Sequence, residues 1–188
     1  MEVSKIKYFS TRKEWREWLS ENFEKESEIW FVKPKKSSGK QGVLYNDAVE
    51  EALCFGWIDS TVKTLDEHHS IQRYTPRNAK SGYSQLNKER LKQLAVKGLI
   101  HQQIIETIRN IIEEEFVFPW DILEVIQQDK DAWKNYRTFS DSYKRIRIAY
   151  IDTARKNPEE YEKRLRYFIK NTRENKLISG YGGTDKYY

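Results

Sequence analysis

The stretch Ala-Leu-Cys-Phe-Gly-Trp-Ile-Asp-Ser at residues 52–60 sets the pattern for the first half of this chain. An apolar segment stops at Gly56, and an indole, a carboxylate and a hydroxyl follow within four residues. Glycine adopts a left-handed backbone without a Cβ clash, and it often ends a helix. The stretch therefore predicts a helix over about 47–55, capped by Asn46, a positive φ at Gly56, and a strand from Trp57.

Residues on both sides of this stretch predict further helices and strands. Upstream, Thr11 and Glu14 are spaced as a capping box that opens a first helix. Residues 28–33 are aromatic and β-branched, which is typical of a strand. Downstream, residues 57–65 and 70–75 predict the two strands of a hairpin.

The second half of the chain shows helical spacing of its apolar residues. Ser84 is the predicted cap of a helix that stops at Gly98, Pro119 interrupts the pattern, and Asn157-Pro158 opens the last helix. Strands come early and helices late, which favours an α+β fold over a doubly wound sheet. We expect an α+β domain with an N-terminal antiparallel sheet over residues 1–118, a C-terminal helical unit over 119–180 and a flexible tail over 181–188.

Composition restricts the class of protein. Hydrophobic residues make up 38% and charged residues 34% of the 188, and no apolar run approaches the ~20 residues of a transmembrane helix. The first residues contain no apolar leader segment. Cys54 is the only cysteine, so an intrachain disulfide is impossible and a reducing compartment fits best. We expect a cytoplasmic protein.

The net charge of +5 is concentrated toward the C-terminal end. Residues 140–176 contain eleven Lys and Arg against six Asp and Glu. One interpretation of this excess is an acidic partner, such as nucleic acid or an anionic membrane face. The alternative is a solvated helical surface, and the interleaving of acidic with basic residues favours that alternative.

The strand that starts at Trp57 carries the first candidate site. Side chains alternate along a strand, so Trp57, Asp59, Thr61 and Lys63 are predicted to share one face. An indole beside a carboxylate, a hydroxyl and an ammonium suits a pocket for a small polar ligand. The alternative is an outward polar face with a tryptophan packed at its edge.

A second candidate site follows the hairpin, from Tyr74 to Asn87. Arg77 offers a planar fork to a carboxylate or phosphate. Ser84 and the amides of a helix start can hold an anion. The alternative is a plain strand-to-helix turn, with Arg77 solvated and Ser84 only capping the helix.

Other motifs support less chemistry. Cys54 is expected to be a buried structural thiol, because a helix C-terminus disfavours a thiolate. The pair His68-His69 lies in the hairpin loop without metal-ligand spacing, and His101 is remote, so we expect no metal site. Residues 35–40 lack the order of a phosphate-binding loop. No cofactor is expected.

The chain resembles the bacteriocin-protection family, also called YdeI/OmpD-associated. The resemblance covers nearly the whole chain, and its N-terminal part is the more specific. It is carried by Trp15 and Trp18, Ile29-Trp30, Lys35-Lys36, Tyr45 through Asp59, and Pro76-Arg77 through Asn87, with Tyr150-Ile151 and Ala154-Arg155-Lys156 in the helical part. Tyr83 departs from the tryptophan usual there. The resemblance implies a first domain similar to frataxin-like or YjbR-like folds and a link to tolerance of bacteriocins and antimicrobial peptides. It implies no set of catalytic residues.

These observations predict a cytoplasmic accessory protein with a face that binds a small polar or anionic ligand, or a protein partner. The predicted face consists of Trp57, Asp59, Lys63, Tyr74, Arg77, Ser84 and Asn87. One alternative is an enzyme acting on a small anionic metabolite, with Asp59 as acid or base and Arg77 as anion clamp. Another is nucleic-acid binding through the basic C-terminal helices, which we expect less.

Overall fold

The structure is a computed structural model that describes residues 5–180 and 184–188. The chain divides into two compact units. The first takes the residues up to Gly82 together with Leu91–Asn110, and the second takes Tyr83–Arg90 together with the residues from Ile111 onward. This division places residues 83–90 apart from the sequence that precedes them. The predicted domain boundary at 118/119 stays a prediction.

The first unit contains a four-stranded sheet in the order β1-β2-β4-β3. Its strands are β1 (Ile6–Tyr8), β2 (Ile29–Pro34), β3 (Trp57–Thr64) and β4 (His69–Pro76). The last two form the predicted antiparallel hairpin, and β4 also pairs antiparallel with β2. The α+β class predicted from the sequence is confirmed.

The sheet is mixed, and the prediction of an antiparallel sheet is wrong at one edge. Strand β1 runs parallel to β2, with Ile6 opposite Trp30 and Tyr8 opposite Val32. A parallel pair needs a long crossover connection. Helix α1 (Arg12–Asn22) provides that crossover, and Thr11 caps it by accepting from the Glu14 backbone N–H.

The helices of the first unit cover one face of the sheet, here called the inner face. Aromatic rings fill the contact: Trp15 of α1 lies 5.1 Å from the ring of Phe31 and 5.2 Å from that of Tyr74. Helix α2 (Tyr45–Cys54) joins the same layer, because the Trp15 indole N–H donates to the Ala48 carbonyl over 3.0 Å. Buried rings of this size account for a large share of the apolar area that stabilises the unit.

Helix α2 begins earlier than the sequence indicates. Its N-cap is Leu44, which makes no side-chain cap, and Asn46 is buried inside the helix instead of capping it. The end of the helix is as predicted, because Gly56 has φ +70° and leads directly into β3. The Arg77 backbone N–H donates to the Gly56 carbonyl over 2.8 Å, which joins the turn to the end of β4.

A β-bulge interrupts β3 and changes which side chains share a face. Asp59 pairs with Tyr74, but Val62, not Thr61, pairs with Gln72. One extra residue therefore lies on β3, and the alternation of side chains shifts by one position. Trp57 and Asp59 lie on the inner face, whereas Lys63, opposite Ile71, lies on the outer face. The prediction that these side chains share one face is wrong for Lys63.

Helices α3 (Gln85–Val96) and α4 (Gln102–Glu113) follow the sheet, and Gly98 has the positive φ expected of a helix stop. The second unit continues with α5 (Trp120–Gln128), α6 (Lys130–Tyr136), α7 (Asp141–Asp152) and α8 (Pro158–Arg173). Asn157 caps α8 and Pro158 is its first residue, as predicted.

The core of the second unit is aliphatic and aromatic, with Ile122, Ile126, Tyr143, Ile151 and Phe168 nearly inaccessible. Residues 184–188 add to it: Thr184–Tyr187 form a 3-10 turn, and the Tyr188 ring lies 4.8 Å from that of Tyr143. The flexible tail expected over 181–188 stays a prediction, and residues 181–183 of it lie outside the described residues. None of the helices in the described ranges is both long and apolar enough to cross a membrane.

Candidate functional site

Two members of the predicted face belong to the hydrophobic core. Trp57 is 1% exposed, and its indole N–H donates to the Phe23 carbonyl over 3.1 Å. Tyr74 is fully buried against the rings of Trp15 and Phe31. Both side chains point from the inner face toward α1, so neither is available as the wall of an open pocket.

Three other members of the predicted face support local backbone structure. The Arg77 guanidinium donates to the carbonyls of Ser81 and Gly82 and so closes the loop after β4. The Ser84 hydroxyl accepts from the Asn87 backbone N–H over 3.3 Å, and the Asn87 side chain accepts from Arg90 over 2.7 Å. Ser84 caps the helix as in the alternative interpretation, but Arg77, which that interpretation has solvated, donates to loop carbonyls. Ser84 and Asn87 belong to the second unit and Arg77 to the first.

Lys63 stands apart from Asp59 because of the bulge. Its ammonium lies 4.9 Å from the centroid of the Trp30 ring, on the outer face of the sheet. The side chain is exposed. Asp59 is the one member of the predicted face that lies, partly exposed, on the open part of the inner face among other polar side chains.

Around Asp59 the structure brings together four polar side chains, here called the Tyr45 site: Lys33, Tyr45, Asp59 and Gln72. The Tyr45 hydroxyl donates to Oδ2 of Asp59 over 2.9 Å. The Gln72 amide donates to the same oxygen over 3.3 Å and to the Ser60 carbonyl over 3.2 Å. The Lys33 ammonium lies 4.9 Å from the centroid of the Tyr45 ring.

The register of the sheet explains this grouping. Lys33 of β2 follows Ile29 and Phe31 at every second position, so it occupies the inner face. Gln72 of β4 is opposite Phe31 and lies between β2 and β3. The Tyr45 side chain, from the first turn of α2, therefore reaches across β4 from Lys33 on one side to Asp59 on the other.

Opposite charges in the Tyr45 site remain separate. Within the described residues the Lys33 ammonium has neither an ion pair nor a hydrogen bond, and Oδ1 of Asp59 accepts no hydrogen bond. Burial lowers the pKa of Lys33, and the nearby charge of Asp59 opposes this change only in part. An ammonium and a carboxylate oxygen thus stand in the same partly buried place with unused hydrogen-bonding capacity.

An ionic cluster between α1 and α2 holds the helix that carries Tyr45. Glu51 is 3% exposed and accepts from the Arg12 guanidinium over 2.5 Å and from that of Arg16 over 2.6 Å. Arg12 also contacts Asp47 at 2.9 Å and Glu50 at 3.0 Å. Because these contacts join about one turn of each helix, they hold the first half of α2, which carries Tyr45, against α1.

The sheet remains open beside the Tyr45 site. Val62 lies on the inner face opposite Gln72, and it is 56% exposed. A side chain on this face would be buried if a helix covered it, as α1 covers Tyr74. Lys33 and Asp59 are themselves partly exposed, so solvent reaches both side chains.

Lys33, Tyr45 and Gln72 were missing from the predicted face, although the sequence contains a signal for two of them. Lys33 continues the apolar series Ile29, Phe31 at alternate positions of one strand, and Gln72 stands two residues before the buried Tyr74. A polar residue in the buried phase of a strand requires a polar partner. Tyr45 lacks such a signal, because the sequence predicts a helix that starts two residues after it, at residue 47.

Thiol and metal chemistry have little support in the described part of the chain. Cys54 is fully buried, and burial raises the pKa of its thiol to about 12, with the charge of Glu51 adding to the effect. Among residues 5–180 and 184–188, no group of three or more His, Cys, Asp and Glu side chains is arranged to hold a metal ion.

Most basic residues of the C-terminal helices form ion pairs with acidic residues of the same chain. Seven of the eleven Lys and Arg residues in 140–176 form ion pairs. The most buried is the pair of Arg145 with Glu89, which is 4% exposed, and Arg155 contacts both Asp121 and Asp152. Paired charges of this kind leave few cations for phosphate contacts.

Comparison with known proteins gives two family matches. Residues 7–107, which include the whole Tyr45 site, match the family model described as a domain of unknown function, DUF8412. Residues 115–175 match the family model described as Bacteriocin-protection, YdeI or OmpD-Associated. No curated protein and no solved structure gives a significant match.

The two matches correct where the family resemblance lies. The resemblance was expected to be more specific in the N-terminal part, but the bacteriocin-protection match covers the helical second unit from residue 115 to 175. The expected likeness of the first unit to frataxin-like or YjbR-like domains stays a prediction. The chain belongs to the DUF8412 family, whose model covers more than half of it, and residues 115–175 are similar to the bacteriocin-protection, YdeI or OmpD-associated family.

Proposed function

We propose that this chain is a cytoplasmic accessory protein of bacteriocin or antimicrobial-peptide tolerance, and that it binds a small polar ligand with an anionic group at the Tyr45 site. The observation that carries the binding proposal is the Lys33 ammonium, which is partly buried and has no counter-ion within 4.0 Å among the described residues. A bound anion would provide the missing charge and hydrogen bonds.

The chemistry of the surroundings supports an anion at Lys33. Burial lowers the pKa of this lysine, which means that the charge of Asp59 compensates only part of the desolvation of its ammonium. The Tyr45 ring holds the ammonium on one side, and the exposed Val62 shows that the neighbouring face is open. An anion that binds here gains from a lower effective dielectric than at an exposed lysine.

Thermal unfolding in the presence of acetate and of inorganic phosphate tests this proposal. We expect at least one of the two anions to raise the Tm of the native chain, and the Lys33→Met variant to lose that increase. Lys63→Met is the matched control, because Lys63 also lies 4.9 Å from an aromatic centroid but on the outer face. No increase with either anion, or an equal increase in Lys33→Met, would overturn the proposal.

The role in tolerance requires a test in cells. We expect that deletion of the gene for this protein, in a bacterium that expresses it, lowers survival against a bacteriocin or cationic peptide. Expression of the native chain should restore survival. Complementation with Lys33→Met should fail although the variant accumulates to the same level, whereas Lys63→Met should succeed. Full survival without the chain would contradict the role in tolerance.

Two alternatives have less support from the contacts. Arg77, the anion clamp of the enzyme alternative, donates to loop carbonyls, and the enzyme alternative stays a prediction. Nucleic-acid binding through the C-terminal helices would draw on basic residues that mostly form ion pairs.

A further inference from the structure

We propose that the ligand of the Tyr45 site is a small zwitterion, with its carboxylate at Lys33 and its ammonium at Asp59. This inference rests on the proposed function, because it names the class of ligand that the same site binds. Free amino acids and short peptides share this chemistry. The argument depends on one juxtaposition: on either side of Tyr45 lie an ammonium and a carboxylate oxygen that have no ion pair or hydrogen bond among the described residues.

Tyr45 acts as a spacer between the two charges. Strand β4 lies between β2 and β3, so Lys33 and Asp59 start two strand spacings apart across the sheet, roughly 10 Å. They are also offset along β4, because Lys33 pairs with Ser70 and Asp59 with Tyr74, which adds roughly 13 Å in the strand direction. A lysine side chain is long enough to shorten this gap, yet the ammonium rests on the Tyr45 ring and forms no ion pair with Asp59 within 4.0 Å. The Tyr45 hydroxyl meanwhile holds Oδ2 of Asp59.

The two oxygens of Asp59 therefore have different roles. Oδ2 accepts from Tyr45 and from Gln72, whose side chain is 2% exposed, and these donors fix the orientation of the carboxylate. Oδ1 accepts no hydrogen bond from the described residues, so it can accept one from a ligand. A carboxylate oxygen prefers a charged N–H donor, since such hydrogen bonds are stronger than neutral ones.

A ligand with one charge satisfies only half of this arrangement. An anion compensates the charge of Lys33 but adds a second negative charge near Asp59. A cation compensates the charge of Asp59 but adds a second positive charge near Lys33. A zwitterion compensates both groups, and charge complementarity of this kind favours it over singly charged analogues. Because one residue of extended chain spans about 3.3–3.6 Å, peptide length sets the separation of its two charges.

NMR titration of the full chain with glycylglycine tests the inference, with N-acetylglycylglycine and glycylglycinamide as singly charged probes. We expect glycylglycine to bind about tenfold more tightly than either derivative, a difference of about 1.4 kcal/mol. In Asp59→Asn, glycylglycine should bind no more tightly than the acetylated probe. In Lys33→Met, glycylglycine should bind no more tightly than the amide. In the control Lys63→Met, glycylglycine should keep its higher affinity over both derivatives.

Glycine and triglycine form the second arm and distinguish a free amino acid from a peptide. Binding of the tightest member of this series at the Tyr45 site, with the same response to the two variants, supports the inference. Equal affinity for glycylglycine and its acetylated derivative would overturn the zwitterion while leaving anion binding intact. Failure of every probe, together with no Tm increase from acetate or phosphate, would overturn both proposals.

Discussion

The hydroxyl of Tyr45 donates to Oδ2 of Asp59 over 2.9 Å, and this hydrogen bond joins the first turn of α2 to strand β3. It leaves Oδ1 of Asp59 without a hydrogen bond from the described residues. The ring of the same tyrosine supports Lys33. One side chain thus separates two opposite charges and leaves each with hydrogen-bonding capacity for a ligand.

Replacing Tyr45 by Phe keeps the ring and removes this hydrogen bond. We expect Tyr45→Phe to lower the free energy of unfolding by about 1 kcal/mol, the usual net contribution of such a bond. Urea unfolding followed by circular dichroism measures the change. Tyr150→Phe is the control, because Tyr150 is 51% exposed, and its stability should stay within about 0.5 kcal/mol of the native chain. Equal stability of the two variants would contradict the contact.

Gly56 must be glycine for two reasons. Its φ is +70°, and a Cβ at this position would lie 3.0 Å from Cδ1 of Ile104. We expect Gly56→Val to cost more than about 1 kcal/mol of stability, through backbone strain and the close contact together. Gly82→Ala provides the comparison, since a Cβ there meets no atom within 4 Å and no positive φ is involved. Similar Tm values for both variants would refute this account of the turn.

Glu51 is the centre of the ionic contacts between α1 and α2. Truncation to Ala leaves Arg12 and Arg16 without their shared carboxylate in a largely buried place. We expect Glu51→Ala to cost about 3 kcal/mol, whereas Glu17→Ala, which removes an exposed pair with Lys13, should cost less than about 1 kcal/mol. Denaturant midpoints compare the two. A small effect at Glu51 would show that the cluster does not hold the helices.

Cys54 predicts a pH dependence of stability. Its folded pKa is raised to about 12 from the ordinary 9.0, so the unfolded chain loses the thiol proton first as pH rises. The contribution of Cys54 is therefore intact below pH 9 and falls between pH 9 and 12, by up to about 1.4 kcal/mol per pH unit. Unfolding of the native chain and of Cys54→Ala across this range should show a shallower fall in the variant. Parallel curves would contradict the burial of the thiol.

Local sequence signals predicted much of the fold. Glycine conformation predicted the turn at Gly56, Pro158 after Asn157 predicted the start of α8, and the spacing of Thr11 and Glu14 predicted α1. Each of these signals acts within a few residues of the chain, so no tertiary information was needed.

The candidate site depended on information that local patterns do not contain. The bulge after Asp59 moved Lys63 to the outer face, and a single extra residue in a strand leaves no clear trace in composition. The sequence predicted Trp57 and Tyr74 as pocket residues, whereas both are buried under α1. This burial is a tertiary contact, which local sequence patterns do not contain. Lys33 and Asp59 are distant in sequence, and only the strand order brings them to the same tyrosine.

The pKa of Lys33 in the native protein tests the central claim most directly, because it reports whether this ammonium is partly buried and lacks a counter-ion. NMR of the lysine side chain across alkaline pH, assigned with Lys33→Met, gives this value. We predict a Lys33 pKa below the ordinary 10.5, and a lower one still in Asp59→Asn, where the partial compensation by the carboxylate is lost. A Lys33 pKa at or above 10.5 in the free protein would contradict the account.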